Sequence, residues 1–184
     1  MVCTANVCRS PLAERLLHRA LNGEPGPERF AVRSAGTRAW AGAPMDPMAA
    51  AELVRLGGDP QGLSARDLST DDCAEAGLIL TATAEHRTQV LLECPQALKR
   101  TFTLLEFAHL VTSVEAVCRN AGSPPAVVQA ASAARGASRL DDYDVLDPHG
   151  RSATVHRNVA DVVSTAVDAT ARALAGPASP PASR

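Results

Sequence analysis

The chain has 184 residues, 46% of them hydrophobic and 21% charged, and a formal net charge of −2. That is enough apolar chain for one domain with a buried core, and too little positive charge for a general nucleic-acid field. Five scattered cysteines (Cys3, Cys8, Cys73, Cys94 and Cys118) fit neither an even disulfide framework nor the paired spacing of a structural zinc site, and no apolar run reaches membrane-spanning length.

In chain order, the first signal is Cys3-Thr4-Ala5-Asn6-Val7-Cys8-Arg9-Ser10, followed by Pro11. Ser10 and Pro11 read as N-cap and first residue of a helix whose apolar face is Leu12, Leu16, Leu17, Ala20 and Leu21 and which ends near Asn22-Gly23. Glu24 to Pro27 reads as a turn. Phe30, Val32 and Ser34 alternate as a short strand leading into Ser34-Ala35-Gly36-Thr37. Asp46-Pro47 repeats the cap-plus-proline start before Met48 to Leu56, and Gly57-Gly58 stops that helix. Leu78 to Thr81 suits a buried parallel strand, Ala84 to Glu93 is helical, Thr101 to Leu104 is a further strand and Leu105 to Val111 a short helix. Gly122 to Arg139, rich in Ala, Ser and Pro, reads as a loop or an added weak helix. A last periodic segment places Val155, Val159, Val162, Val163, Ala166, Val167, Ala171 and Leu174 on one stripe. Gly176 to Arg184 reads as a disordered tail. Strands alternating with helices predict a parallel sheet covered on both faces, with its ligand at the carboxyl ends of the strands.

The opening loop carries the chemistry. Its length lets successive backbone N–H groups converge on an anion at a helix N-terminus, with Cys3 placed where a phosphoryl group would bind. Arg9 offers a planar fork that matches two phosphate oxygens. A C-x5-R spacing alone is also met by chance, and its cysteine is then a small buried hydrophobe. Asp147-Pro148 is the second element. Proline restricts Asp147 to extended geometry, which suits either a surface turn or an acid held over the nucleophile.

In its residues, the segment Val2 to Glu14, VCTANVCRSPLAE, resembles the phosphate loop of the low-molecular-weight protein tyrosine phosphatases. The resemblance extends over most of residues 2 to 175, through Arg33 to Thr37, Gly57 to Arg66, Leu78 to Arg87 and Thr101 to Leu104. It implies an α/β fold, one three-layer domain over residues 1–175 with a central parallel four-stranded sheet, and hydrolysis of phosphotyrosine through a cysteinyl-phosphate. Cys3 would be the nucleophile, Arg9 the phosphate ligand and Asp147 the general acid. Thr4, Ala5, Asn6, Val7, Cys8 and Ser10 would line the cradle, Ser34 would support Asn6, and Trp40 would form an aromatic wall. No metal or cofactor is required. The expected partner is a phosphotyrosine-containing protein in the cytoplasm, with neither nucleic acid nor membrane involved.

Four departures from the family pattern bear on these expectations. Ala5 stands where most members have glycine, so a positive φ there would strain it. Leu63 replaces a histidine of the loop's hydrogen-bond network. His149-Gly150 replaces an aromatic pair. Only Met1 and Val2 precede the loop, so the first strand is expected to be truncated and the nucleophile to lack its scaffold, either because translation starts upstream or because the fold tolerates the loss. Two other functions stay open: a thiol-coupled arsenate reductase, which needs resolving cysteines, and an inactive phosphate-binding or interaction protein lacking the first strand. Cys8 is either a redox partner for Cys3 or a buried core residue.

Overall fold

The computed structural model describes residues 1–22, 30–136 and 142–176. The turn expected at Glu24 to Pro27 and the tail beyond Gly176 lie outside these residues. Four short strands, β1 (Val2–Cys3), β2 (Ala35–Gly36), β3 (Ile79–Thr81) and β4 (Thr101–Thr103), form a sheet in the order β2-β1-β3-β4 with every pair parallel. Between β1 and β3 the order of connection reverses. That reversal opens a crevice at the carboxyl ends of the strands, at the point where the Cys3 loop leaves β1.

Strand alternation assigns the two faces. Cys3, Leu80 and Phe102 join the larger core, whereas their neighbours Val2 and Ile79 join a smaller one with Cys73, Val90, Cys94 and Ala97. The larger core is closed by α1 (Arg9–Asn22), α2 (Pro47–Arg55), α5 (Leu104–Ser113), α7 (Pro124–Ala134) and the long α8 (Ala153–Ala175). On the opposite face lie α3 (Thr70–Glu75), α4 (Ala84–Glu93) and a 3₁₀ turn over Pro95–Arg100. A further short helix, α6 (Glu115–Arg119), precedes α7.

Local signals explain most boundaries. Asp46 Oδ1 accepts from Met48 N at 3.0 Å and Ala49 N at 3.1 Å, with Pro47 in the first helical position, so α2 starts where its cap dictates. It stops at Leu56, before Gly57 at φ +80°. Both α3 and α5 open on capping boxes, Ser69 with Asp72 and Thr103 with Glu106.

Several expectations need correction. The second strand occupies Ala35–Gly36 rather than Phe30 to Ser34, because the two-residue β1 offers it only the partners Val2 and Cys3. Helix α1 begins at Arg9, two residues before Pro11, so Ser10 lies inside its first turn, and Cys8 O takes the first helical bond, from Leu12 N at 3.1 Å. Val162, at 46% exposure, lies off the buried stripe of α8. Of the two readings of Gly122 to Arg139, the added helix is the one that forms, as α7 packed on the larger core. Most consequential is β1. It is short, but it is buried and paired on both sides, with Met1 O accepting from Ala35 N at 3.0 Å and Val2 O from Ala82 N at 2.8 Å. Cys3 therefore has the strand scaffold that a truncated β1 was expected to deny it.

Gly36 is the tightest point between sheet and loop: a Cβ there would lie 2.3 Å from the Thr4 carbonyl oxygen and 3.0 Å from Ala39 Cα, both backbone atoms. Gly36→Ala is expected to destabilise the protein by about 1–3 kcal/mol, as overpacking does, measured by urea unfolding. Wild-type stability would refute the tight fit.

Candidate active site

The loop Cys3–Ser10 is shaped by where its carbonyls go. Thr37 N donates to Cys3 O at 2.9 Å, Arg38 N to Thr4 O at 3.0 Å, Trp40 N to Ala5 O at 3.1 Å and Asp46 N to Val7 O at 2.9 Å. With the carbonyls of Cys3, Thr4, Ala5 and Val7 held on the outside of the turn, the amides are left for the inside. Among the described residues, the N–H groups of Thr4 through Cys8 have no hydrogen-bond acceptor, although most of these residues are buried. A buried row of unpaired donors costs free energy unless an anion fills it. Together with the N-terminus of α1, such a row of amides is suited to hold an anion.

Asn6 makes the turn possible. It has φ +58° and is the sole non-glycine residue with positive φ among those described. Ala5 is not in that region, so the strain expected from its replacing glycine does not arise. Asparagine tolerates the left-handed conformation better than most residues, and its side chain is held on every side. Nδ2 donates to Ser10 Oγ at 2.9 Å and to Ser34 Oγ at 2.8 Å, while Oδ1 accepts from Arg66 N at 3.0 Å. Ser34 Oγ in turn donates to Glu14.

The same network reaches Cys3. Ser10 Oγ accepts from Asn6 Nδ2, lies 3.0 Å from Cys3 Sγ, and donates toward Ala35 O at 3.5 Å, so the hydroxyl is within hydrogen-bond reach of the sulfur. The side chains of Asn6, Val7 and Cys8 face the interior, so these residues meet a ligand through their backbone amides. Burial, with the Asp46 and Asp147 carboxylates nearby, pushes the Cys8 thiol up to about 12. That favours the core role of Cys8 over the redox one, since a protonated thiol attacks poorly.

Arg9 is buried, and its fork is engaged by the Asp147 segment. Nη2 donates to Asp147 Oδ2 at 2.8 Å and Nη1 to Val145 O at 3.2 Å, while the buried Nε has no partner. The segment is pinned across the end of β3 by Val145 N to Ala82 O and by Ala84 N to Asp144 Oδ1, at 2.8 and 2.7 Å. Asp147 itself is half exposed. Trp40, also half exposed, meets His149 edge to face with ring centroids 5.0 Å apart, so the histidine that replaces the expected aromatic pair still supplies a ring at the mouth. Cys3, Arg9, Asp147, Ser34 and Trp40 are thus gathered around one loop from distant parts of the chain.

His86 was not foreseen. Its Nδ1 lies 2.6 Å from Thr83 Oγ1, the N-cap of α4, and its Nε2 2.8 Å from Thr4 Oγ1, so it bridges that helix to the loop. Leu63, which stands where the family has its histidine, packs against the core instead. The spacing Thr83-x-x-His86 is a cap signal in the sequence, but nothing local reveals the contact with Thr4. Burial first, and the Arg9 charge second, lower the His86 pKa. A histidine whose folded value lies below its unfolded one binds fewer protons when folded, so its neutral-state stabilisation is complete above about 6.5 and is lost as pH falls. Unfolding free energy is therefore expected to fall from pH 7 to 5, and more steeply in the wild type than in His86→Gln. Parallel pH profiles would refute this.

The described residues contain no helix long and apolar enough to cross a membrane. A family model described as low molecular weight phosphotyrosine protein phosphatase matches residues 1–116. The low molecular weight protein-tyrosine-phosphatase Etp of Escherichia coli K12 is 35% identical over 101 residues, an alignment spanning 55% of this chain and 64% of that relative. The crystal structure of the Erwinia amylovora tyrosine phosphatase AmsI superposes with a TM-score of 0.69 at 26% identity, covering 94% of this chain and 89% of its own. The YwlE arginine phosphatase of Geobacillus stearothermophilus superposes with a TM-score of 0.67 at 27% identity, covering 92% and 87%. With the phosphate-loop geometry already described, the match over residues 1–116 means that this chain belongs to the low molecular weight phosphotyrosine protein phosphatase family.

Proposed function

We propose that this protein is a cytoplasmic protein tyrosine phosphatase, acting on phosphotyrosine-containing proteins through a cysteinyl-phosphate. The observation that carries the reading is the buried row of unpaired amides over Cys3, with the Arg9 guanidinium beside it. The phosphoryl dianion enters this cradle and takes the Arg9 fork in place of Asp147, freeing the carboxyl to turn toward the leaving oxygen. Cys3 Sγ, as thiolate, attacks phosphorus in line. The P–O bond to tyrosine breaks, and Asp147 gives its proton to the departing phenolate. Loop amides and Arg9 carry the charge on the equatorial oxygens. Water then attacks the cysteinyl-phosphate, Asp147 accepting its proton, while the P–S bond breaks and Ser10 Oγ–H stabilises the returning thiolate.

Trp40 and His149 support an aryl substrate, since a ring can lie against theirs. Unbridged thiols throughout the described chain suit a reducing compartment. Cys73 and Cys94 pack in the smaller core, on the opposite face of the sheet from Cys3, which disfavours a resolving role and with it arsenate reduction. The paired β1 removes the ground for an inactive protein lacking its first strand.

Turnover of p-nitrophenyl phosphate is expected in the wild type and not in Cys3→Ser. Phosphotyrosine peptides should be hydrolysed faster than phosphoarginine peptides, and the reverse order would overturn the substrate assignment. Asp147→Asn should lower kcat by about 10²–10⁴-fold for poor leaving groups and far less for p-nitrophenol. Equal losses across leaving groups would exclude the acid role.

A further inference from the structure

At the Cys3–Ser10 loop, three side chains of different donor type converge. Cys8 Sγ, a carboxylate oxygen of Asp46 and a ring nitrogen of His149 all lie within 4.8 Å of one another. They come from three separate segments: the loop itself, the cap of α2, and the turn that follows Asp147-Pro148. The cap bonds occupy Asp46 Oδ1 and leave Oδ2 facing His149 Nδ1 at 3.6 Å. That separation matches the edge of a tetrahedral site, where ligands bonded at about 2.0–2.3 Å stand roughly 3.4–3.7 Å apart. Behind Asp46 stands the buried His156, with Nδ1 3.9 Å from Oδ1 and Nε2 unpartnered.

We propose that Cys8, Asp46 and His149 bind a single divalent cation of the zinc class, and that the bound ion holds the phosphatase inactive. One sulfur, one nitrogen and one carboxylate oxygen form a borderline donor set that suits zinc and disfavours magnesium or calcium. Burial grades outward from Cys8 through Asp46 to His149, so an ion enters from the His149 side and keeps its fourth position toward solvent. On binding, the Cys8 S–H bond breaks, its proton leaves to solvent and the sulfur lone pair forms the bond to the metal. The ion then ties the turn beyond Asp147 to the loop and to α2. Asp147 is kept on Arg9, so the phosphoryl group cannot take the guanidinium and turnover stops before the thiolate attacks, whatever the leaving group. This inhibitory consequence rests on the phosphatase reading, whereas the site does not.

Binding is tested apart from catalysis in the Cys3→Ser protein, which removes the nucleophile as a competing ligand. Titrated with cobalt(II), it should develop a sulfur-to-cobalt charge-transfer band in the near ultraviolet that zinc(II) abolishes. The band should be absent from Cys3→Ser/Cys8→Ser, and affinity should fall at least about tenfold in Cys3→Ser/Asp46→Asn and Cys3→Ser/His149→Ala. Asparagine keeps the α2 cap, so the Asp46 variant folds, as circular dichroism would verify. A band that survives loss of Cys8, affinities unmoved by both other variants, or no band from the folded protein would each overturn the site. With Cys3 intact, zinc(II) should suppress p-nitrophenyl phosphate turnover, and Asp46→Asn should raise the inhibitory concentration at least about tenfold. Undiminished turnover on a spectroscopically filled site would overturn the inhibitory role alone, and a protein without turnover would fail the phosphatase reading while leaving the cobalt result to decide the site.

Discussion

Asn6 holds the left-handed turn that points the loop amides inward, and its three side-chain hydrogen bonds are what keep it there. Each bond reaches a different part of the fold: Ser10 on α1, Ser34 before β2, and the backbone of Arg66 before α3. A conformation that is locally unfavourable is thus over-determined by tertiary structure, which is how strain persists at functional sites. The bonds do more than hold shape. By donating to Ser10, Asn6 holds the hydroxyl that lies 3.0 Å from Cys3 Sγ, and so connects a backbone torsion to that sulfur. Arg66 is itself fixed by Asp72, whose carboxyl the guanidinium holds down to about 2. Support for the loop therefore extends from its own side chain to the cap of a helix on the far face.

The sheet contributes less by extent than by direction. Its strands are two or three residues long, yet their parallel register delivers Cys3, Gly36 and Ala82 to one edge, where three connections meet. Alternation along β1 turns Val2 to one core and Cys3 to the other, so the Cys3 side chain lies on the face that α1 and α8 close. Backbone hydrogen bonding finishes the work. Residues 37–40 take the carbonyls of Cys3, Thr4 and Ala5, and Asp67 holds them from outside through Ala39 N at 2.7 Å. The loop is open inward because it is closed outward.

Much of this was legible in the sequence, for identifiable reasons. Asp46-Pro47, Gly57-Gly58 and the apolar face of α1 are local signals, and the helices they mark form where those signals place them. Cys3 to Arg9 and Asp147-Pro148 carry their chemistry in residue type and spacing. What could not be read depends on contacts between distant segments. Ser10 looks like a helix cap, but its hydroxyl is engaged with Cys3 and Asn6. The strand pattern at Phe30 to Ser34 has no partner to pair with until Ala35. His86 meets Thr4 across 82 positions, and no periodicity announces such a contact. The support of the short β1 comes from pairing on both its edges with distant strands, which its length does not reveal.

The ion pair between Arg9 and Asp147 makes the empty site a competitor with its own ligands. Its carboxylate occupies the guanidinium that phosphate must use, so every anion that enters has to displace a group that remains tethered within reach. Because the competitor is part of the protein, it lowers the affinity of every such anion by the same factor. On the proposed mechanism substrate and inorganic phosphate are weakened alike, and the carboxylate that donates the proton also helps to clear the site once phosphate has formed.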